Sequence, residues 1–176
     1  MNIEEKLKLA IRDIPDFPKP GIVFKDITPI MMNAELSNQV VDHLYAIYKD
    51  SGVDAVAGIE SRGFLFGYPL AMVLGVPFIL IRKKGKLPYN KISHDYMLEY
   101  GTATIEMHTD AVKEGQRVLI HDDLLATGGS AEAAAILIEK SGGEIAGFNF
   151  LVSLNFLNGE KKLNKFSNNI TNLVAY

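Results

Sequence analysis

The stretch "VLIHDDLLATGGSAEAA", Val118 to Ala134, decides the reading of this chain. An apolar run enters two aspartates, passes two leucines, turns through Thr-Gly-Gly-Ser and continues into alanines. That order reads as strand, glycine turn, helix. Glycines let backbone N–H groups converge on an anion, and a helix N-terminus adds partial positive charge. The candidate phosphate turn is therefore Ala126, Thr127, Gly128, Gly129 and Ser130, with two hydroxyls among its donors. It lacks the Gly-Lys-Ser/Thr ending of the nucleotide P-loop, so a phosphate monoester suits it better than a triphosphate. Asp122 and Asp123 would repel a phosphate and should serve another part of the ligand. Ribose hydroxyls are donors, and a sugar 5-phosphate spans the gap between acids and turn. Successive strand residues point to opposite faces, so the two carboxylates are expected to avoid contact repulsion. Taken as fragments, "DD" or "TGG" would mean no more than a strand ending in a capped turn.

Outward from that stretch, apolar segments alternate with helical periodicity. Residues 34–49 carry Leu36, Val40, Val41, Leu44, Ile47 and Tyr48 on one helical face. Residues 54–59 read as a strand, "SRGFLFGYPLAMVLG" as a loop and a helix stopping near Gly75, and residues 76–81 as a second strand. Residues 117–120, 130–140 and 144–154 read as strand, helix and strand. Such alternation predicts an α/β fold, a parallel sheet with helices on both faces. Ligands then bind beyond the carboxyl ends of the strands. "ESRG", "RKKGK" and "DDLLATGGS" all fall there.

Other segments fit less regularly. Residues 3–11 read as a short amphipathic helix. Residues 14–30 hold four prolines and a glycine and read as an extended, turn-rich segment with no place in a doubly wound sheet. Residues 82–94 are basic, punctuated by Gly and Pro, and show no periodicity. "YMLEYGTATIEMH" alternates about a central glycine, as a hairpin does. The tail from Asn155 is rich in Asn and Lys.

Composition narrows the function. The chain has 176 residues, 48% of them apolar, which is enough for one domain with a sizeable core. A net charge of −3 gives no electrostatic footprint for nucleic acid. Without cysteine there is neither a disulfide framework nor a thiolate metal site. The four histidines show no ligand spacing. No apolar run reaches the roughly 20 residues needed to span a bilayer. A soluble cytoplasmic protein, with no membrane partner, is expected.

Residues 118–134 resemble the phosphoribosyl pyrophosphate motif of the type I phosphoribosyltransferases. "DFPKPGIVFKDITPI", "ESRGFLFGYPLA", "IRKKGKLP" and "LEYGTATIEMH" resemble adenine phosphoribosyltransferases in order and spacing. The resemblance covers roughly residues 3–154; Ser130 stands where the family more often has Thr. It implies the type I phosphoribosyltransferase fold, with an N-terminal helix and hood over the base site in residues 1–33. It implies a core domain in 34–176 and a flexible loop near 83–95. The implied reaction joins adenine to 5-phosphoribosyl 1-pyrophosphate, giving AMP and pyrophosphate. Mg²⁺ is the implied cofactor, held mainly by substrate and water with no dedicated protein ligands, and a homodimer is the implied assembly.

The resemblance also implies roles. Asp122 and Asp123 hold the ribose hydroxyls, and Ala126 to Ser130 hold the 5′-phosphate. Ser61, Arg62 and Gly63 form a pyrophosphate loop, with a non-proline cis peptide expected at Glu60–Ser61. Arg82, Lys83 and Lys86 add positive charge where pyrophosphate leaves. Glu99 acts as acid and base near the purine imidazole nitrogens, with Tyr100 a weaker candidate. Phe24 stacks on adenine opposite Leu124, while backbone groups of Val23 and Lys25 read the amino edge. Those backbone groups are expected to be unpaired. Two other readings remain: salvage of xanthine or hypoxanthine, and a non-catalytic regulator that binds phosphoribosyl pyrophosphate. No basic helix-turn-helix extension supports the regulator.

Overall fold

The computed structural model describes residues 1–98 and 101–176. The chain forms two compact units, Met1–Ile47 and Tyr48–Tyr176.

The first unit opens with α1 (Ile3–Ala10), started by a capping box. The Glu5 amide donates to Asn2 Oδ1 and the Asn2 amide to Glu5 Oε2, at 2.9 and 3.0 Å. Two orphan N–H groups of the first turn are satisfied this way. The proline-rich segment is more ordered than its composition suggests. β1 (Arg12–Pro15) and β2 (Val23–Asp26) pair antiparallel, with Ile14 opposite Phe24. A cis bond precedes Pro18 in the connection. A turn of helix, α2 (Thr28–Met31), and the long α3 (Ala34–Tyr48) follow. Leu7, Val40 and Leu44 are buried on the periodic positions expected of α1 and α3, although Ile47, expected on the same face, is exposed; Ile27 and Ile30, in the segment read as extended, are buried as well.

The second unit holds β3 (Ala55–Ile59), α4 (Gly63–Leu74), β4 (Phe78–Lys83), β5 (Lys91–Leu98), β6 (Gly101–His108), β7 (Arg117–Leu125), α5 (Gly129–Lys140) and β8 (Glu144–Ser153). A 3₁₀ turn at Asn155–Leu157, α6 (Glu160–Leu163) and β9 (Ile170–Ala175) complete it. Seven strands form one sheet in the order β5-β6-β4-β3-β7-β8-β9. β4, β3, β7, β8 and β9 run parallel, and the β5–β6 hairpin adds antiparallel to β4.

β3 is buried along its whole length, as a central strand covered on both faces must be. Ala57 and Ile59 face the core cluster that α5 fills with Ala131, Ala134, Leu137 and Ile138. Gly58, on the opposite face, lies against Phe78 and the start of α4. The two helices therefore cover opposite faces, and the α/β expectation holds. Gly75 stops α4 in the left-handed conformation, φ 71°.

Three segments differ from expectation. β7 runs on through Asp122, Asp123 and Leu124 to Leu125, so the acids lie within the strand rather than after it. Lys91 to Leu98, half of it read as loop, is a strand paired residue by residue with β6. Its burial alternates, with Ile92, His94 and Tyr96 turned inward. That period of two is masked in the sequence because inward His94 is polar while outward Met97 and Leu98 are apolar. The tail ends in β9, parallel to β8, with Leu173 and Val174 buried.

Candidate active site

The glycine turn after β7 leaves the start of α5 without a side-chain cap. Gly128 is left-handed, φ 78°, and is the N-cap of α5 with no side-chain cap. The Glu132 amide takes the Gly128 carbonyl at 2.9 Å, so the first three helical N–H groups remain without an intrahelical acceptor. A side chain at 128 would also meet the Gly159 carbonyl at 2.6 Å. Glycine is thus required twice, by conformation and by the approach of the α6 loop. Leu124 to Ala131 line one side of a cavity of about 140 Å³, with Tyr96, Met97, Leu98 and Phe150 on the other.

Asp122 and Asp123 immediately precede Leu124, the first residue of β7 that lines this cavity. Asp123 is buried and pairs with Arg62, Nε to Oδ2 at 3.0 Å. The Asp123 amide donates to Asp122 Oδ1 at 2.9 Å. Their separation on opposite faces is incomplete, and the expected freedom from mutual repulsion is corrected. Burial first, and Asp123 second, push the Asp122 carboxyl well above its ordinary range. Burial also raises Asp123, while Arg62 opposes the rise. The side chain of Asp122 turns back over its own backbone at the strand end, which brings the charges within reach of each other. Donor hydroxyls or a cation arriving here would favour the ionised pair.

The second cluster forms at the ends of β3 and β4. The Glu60–Ser61 peptide is cis, as expected. Arg62 is the N-cap of α4, and the Phe64 and Leu65 amides bond the Ser61 and Arg62 carbonyls at 3.1 and 3.2 Å. Gly63 packs so closely beneath β7 that a side chain would meet the His121 carbonyl at 2.7 Å. Arg82 lies in β4, donating from Nε to Glu60 Oε2 at 3.2 Å and from Nη1 to the Lys86 carbonyl at 3.2 Å. Lys83 donates its amide to Glu60 Oε2 at 2.8 Å. Ser61, Arg62 and Gly63 thus share one corner, and Arg82, Lys83 and Lys86 share the next.

Val23, Phe24 and Lys25 lie on β2 in the first unit. Phe24 is half-buried and meets Phe17 edge to face at 5.2 Å, and Lys25 Nζ reaches Asp13 Oδ1 at 2.7 Å. The segment is not unpaired: β1 covers one edge, with Pro15 opposite Val23 and Asp13 opposite Lys25. A strand of a two-stranded ribbon offers only its outer edge to a ligand. Glu99 and Tyr100 lie outside the described residues.

Several groups escaped the sequence reading. Glu106 is buried and accepts from the Gly85 amide at 3.0 Å and from Lys91 Nζ at 3.2 Å. Lys91 also donates to the Leu87 carbonyl at 3.0 Å. The 84–90 loop is therefore tied at its base. His121 is fully buried, with Nδ1 2.6 Å from Asn149 Oδ1, and burial pulls its pKa down to about 4. It ties β7 to β8 through Asn149. An acid set between apolar Ile105 and Met107 was the available sequence signal for Glu106. Among the described residues no three His, Asp or Glu side chains converge as a metal cluster.

The phosphoribosyl transferase domain family matches residues 30–171. An adenine phosphoribosyltransferase of Cytophaga hutchinsonii is 52% identical over 99% of this chain and 96% of its own length. The crystal structure of adenine phosphoribosyltransferase from Thermoanaerobacter pseudethanolicus superposes with a TM-score of 0.95 at 49% identity, covering 99% of this chain and 100% of that one. The Saccharomyces cerevisiae enzyme, solved with adenine and an imino-altritol bisphosphate, gives a TM-score of 0.90 at 40% identity over 97% of this chain and 98% of that one. Fold, strand-end clusters and similarity agree: the chain belongs to the type I phosphoribosyltransferase family, in its adenine phosphoribosyltransferase branch.

Proposed function

We propose that the chain transfers the phosphoribosyl group of 5-phosphoribosyl 1-pyrophosphate to adenine, releasing AMP and pyrophosphate in purine salvage. The observation that carries this reading is the uncapped turn of α5, set directly after two carboxylates on β7. A relative from Trypanosoma brucei was solved with AMP, pyrophosphate and ribose-5-phosphate, which is the ligand set this arrangement suits.

In the reaction the bond from ribose C1 to the pyrophosphate oxygen breaks and a bond to a purine nitrogen forms. The Ala126–Ser130 turn anchors the 5′-phosphate by backbone N–H groups and two hydroxyls. Asp122 and Asp123 accept from the ribose hydroxyls and face the positive charge that develops on the ring. Preorganised opposite charge at that point lowers the barrier. Amides of Ser61, Arg62 and Gly63, with Arg82, Lys83 and Lys86, receive the leaving pyrophosphate. Mg²⁺ would supply further neutralisation of the pyrophosphate oxygens. It needs few protein oxygens and keeps substrate and water ligands, and Asp122 and Asp123 are the two acids of β7 that stand ahead of the turn. The reading gives Glu99 the proton transfer at the purine imidazole and the 83–95 segment the exclusion of water.

The same reading gives Phe24 and Leu124 the two faces of adenine, and the outer backbone edge at Val23 and Lys25 its amino group. The N-terminal hood of residues 1–33 then sets base preference. A homodimer is supported by Leu65, Tyr68, Met72 and Val73, exposed along one stripe of α4. The proposed compartment is the cytoplasm. Among the described residues no helix is long and apolar enough to cross a membrane.

Steady-state turnover of phosphoribosyl pyrophosphate with adenine, hypoxanthine, xanthine and guanine tests the reading. Adenine should be preferred by orders of magnitude, because a site that hydrogen-bonds an amino edge rejects a 6-oxo purine strongly. Turnover only with 6-oxo purines would replace it, and binding without turnover would make the chain a regulator.

A further inference from the structure

Glu60 presents a problem that the pyrophosphate reading does not solve. It sits at the carboxyl end of β3, directly before Ser61, in the corner assigned to a polyanion. Its side chain is only 11% exposed. An ionised acid there repels the ligand, and a neutral one would be simpler to bury. Its pKa is instead lowered: burial would raise it, but the Lys83 amide and the Arg82 guanidinium together outweigh burial.

The geometry explains the charge. Glu60 Oε2 accepts from Arg82 Nε at 3.2 Å and from the Lys83 amide at 2.8 Å, while Oε1 lies 3.5 Å from Arg82 Nη2. The Glu60 amide bonds the Ile81 carbonyl at 2.8 Å, so its backbone is locked to β4 as well. Arg82 also donates from Nη1 to the Lys86 carbonyl. A guanidinium has five N–H donors in a fixed plane. Three are engaged here, which orients the plane and leaves two for a ligand.

We propose that Glu60 is a positioning residue of the pyrophosphate site, holding the Arg82 fork and the start of the 84–90 loop in the geometry that receives the leaving diphosphate. Glu60 acts through Arg82 and the Lys83 backbone and does not itself touch substrate. The cost of placing a negative charge beside a polyanion is offset because a preset fork loses less side-chain freedom on binding. This inference rests on the proposed reaction.

The sign of one substitution separates positioning from simple charge. Glu60→Gln removes a negative charge from the corner while keeping the size of the side chain. If charge alone mattered, pyrophosphate would inhibit the variant more strongly and the KM for phosphoribosyl pyrophosphate would fall. Positioning predicts the reverse: that KM and the pyrophosphate inhibition constant should both rise roughly tenfold to a hundredfold, the range of a lost charged hydrogen bond. The KM for adenine should stay within about twofold, a shift well below one such bond. In an Arg82→Ala background the same substitution should add almost nothing, because neighbours that act as a unit are not additive. Tighter pyrophosphate binding, or full additivity with Arg82→Ala, overturns the proposal, as does a lowered melting temperature with both constants unchanged. If Glu60→Gln does not fold, Arg82→Lys decides. A single ammonium cannot serve Glu60, the Lys86 carbonyl and the ligand together, so phosphoribosyl pyrophosphate should weaken about as much as in Arg82→Ala; wild-type constants overturn the proposal. Wild-type turnover of adenine is measured first. Its absence would remove the reaction itself, whereas normal wild-type turnover with an unaffected Glu60→Gln removes only the role of Glu60.

Discussion

Arg62 Nε stands 3.0 Å from Asp123 Oδ2, joining the start of α4 to the end of β7. The pair links the corner assigned to pyrophosphate with the corner assigned to ribose. It also sets the charge of the aspartate pair, since Arg62 lowers both carboxyl groups against burial. Replacing Arg62 with Gln should therefore move the acidic limb of the kcat/KM profile for phosphoribosyl pyrophosphate to higher pH. In the free enzyme that limb reports protonation of the pair. The pH profiles of wild type and variant, compared side by side, check the direction. An unmoved limb would detach Arg62 from the pair.

The double substitution Asp122→Asn, Asp123→Asn should abolish turnover and spare the fold. Loss of one preorganised group costs about 2.7–4 kcal/mol in other enzymes, so two should cost at least a hundredfold to a thousandfold in rate. Stability should not fall at neutral pH. Both folded-state pKa values are raised, so these acids favour the folded state most when protonated at low pH, and that contribution is lost as pH rises through them. The Asn variant keeps the uncharged form. Calorimetric melting at pH 7 should give a midpoint at or above wild type. Near-normal turnover would remove the aspartates from the chemistry.

Gly128→Val should weaken phosphoribosyl pyrophosphate and AMP together, because both carry the 5′-phosphate. The φ of 78° excludes a β-branched residue, and the Gly159 carbonyl at 2.6 Å blocks its Cβ. Gly159→Ala should act on the same ligands from the other side, since its Cβ would meet the Ala126 carbonyl. Titration calorimetry with AMP and adenine checks both, and a loss confined to adenine would contradict the phosphate role.

Phe24→Ala should raise the KM for adenine about tenfold or more, and leave that for phosphoribosyl pyrophosphate nearly unchanged. Stacking on a base contributes roughly 1–3 kcal/mol. Phe24→Tyr keeps the ring face and should be nearly silent. The edge contact with Phe17 at 5.2 Å gives Phe24 a structural share too, so a modest drop in melting temperature accompanies the Ala variant. A destabilised variant with wild-type adenine affinity would make Phe24 a packing residue only.

His121 should make the fold acid-sensitive. Its pKa falls from 6.5 to about 4 on burial, so the unfolded chain binds the proton more readily. Stability from this group is present above about pH 6.5 and is lost as pH falls toward 4, by on the order of 3 kcal/mol at about 1.36 kcal/mol per unit. Denaturant titrations of wild type and His121→Gln across that range check it; the variant should have the flatter dependence. Equal slopes would show that His121 is not the group responsible.

The sequence by itself determined whatever is written in contiguous residues. The strand, glycine turn and helix of 118–140 follow from local periodicity and from the conformation that only glycine adopts freely. The positions of β3, β4, β7 and β8, the hairpin about Gly101 and the acids ahead of a phosphate turn follow in the same way. Only the tertiary structure decided what depends on which segments become neighbours. Glu60 meets Arg82 because β3 lies beside β4, and the two are 22 residues apart. Gly128 needs its bare backbone because the Gly159 loop folds against it. The Asn-rich tail becomes β9 because β8 offers an open edge to the pattern Leu173-Val174, too short to read as a strand alone. Burial, and then the Asp123 charge, raise the Asp122 carboxyl because the packed sheet lowers the local dielectric, a property that no local pattern encodes.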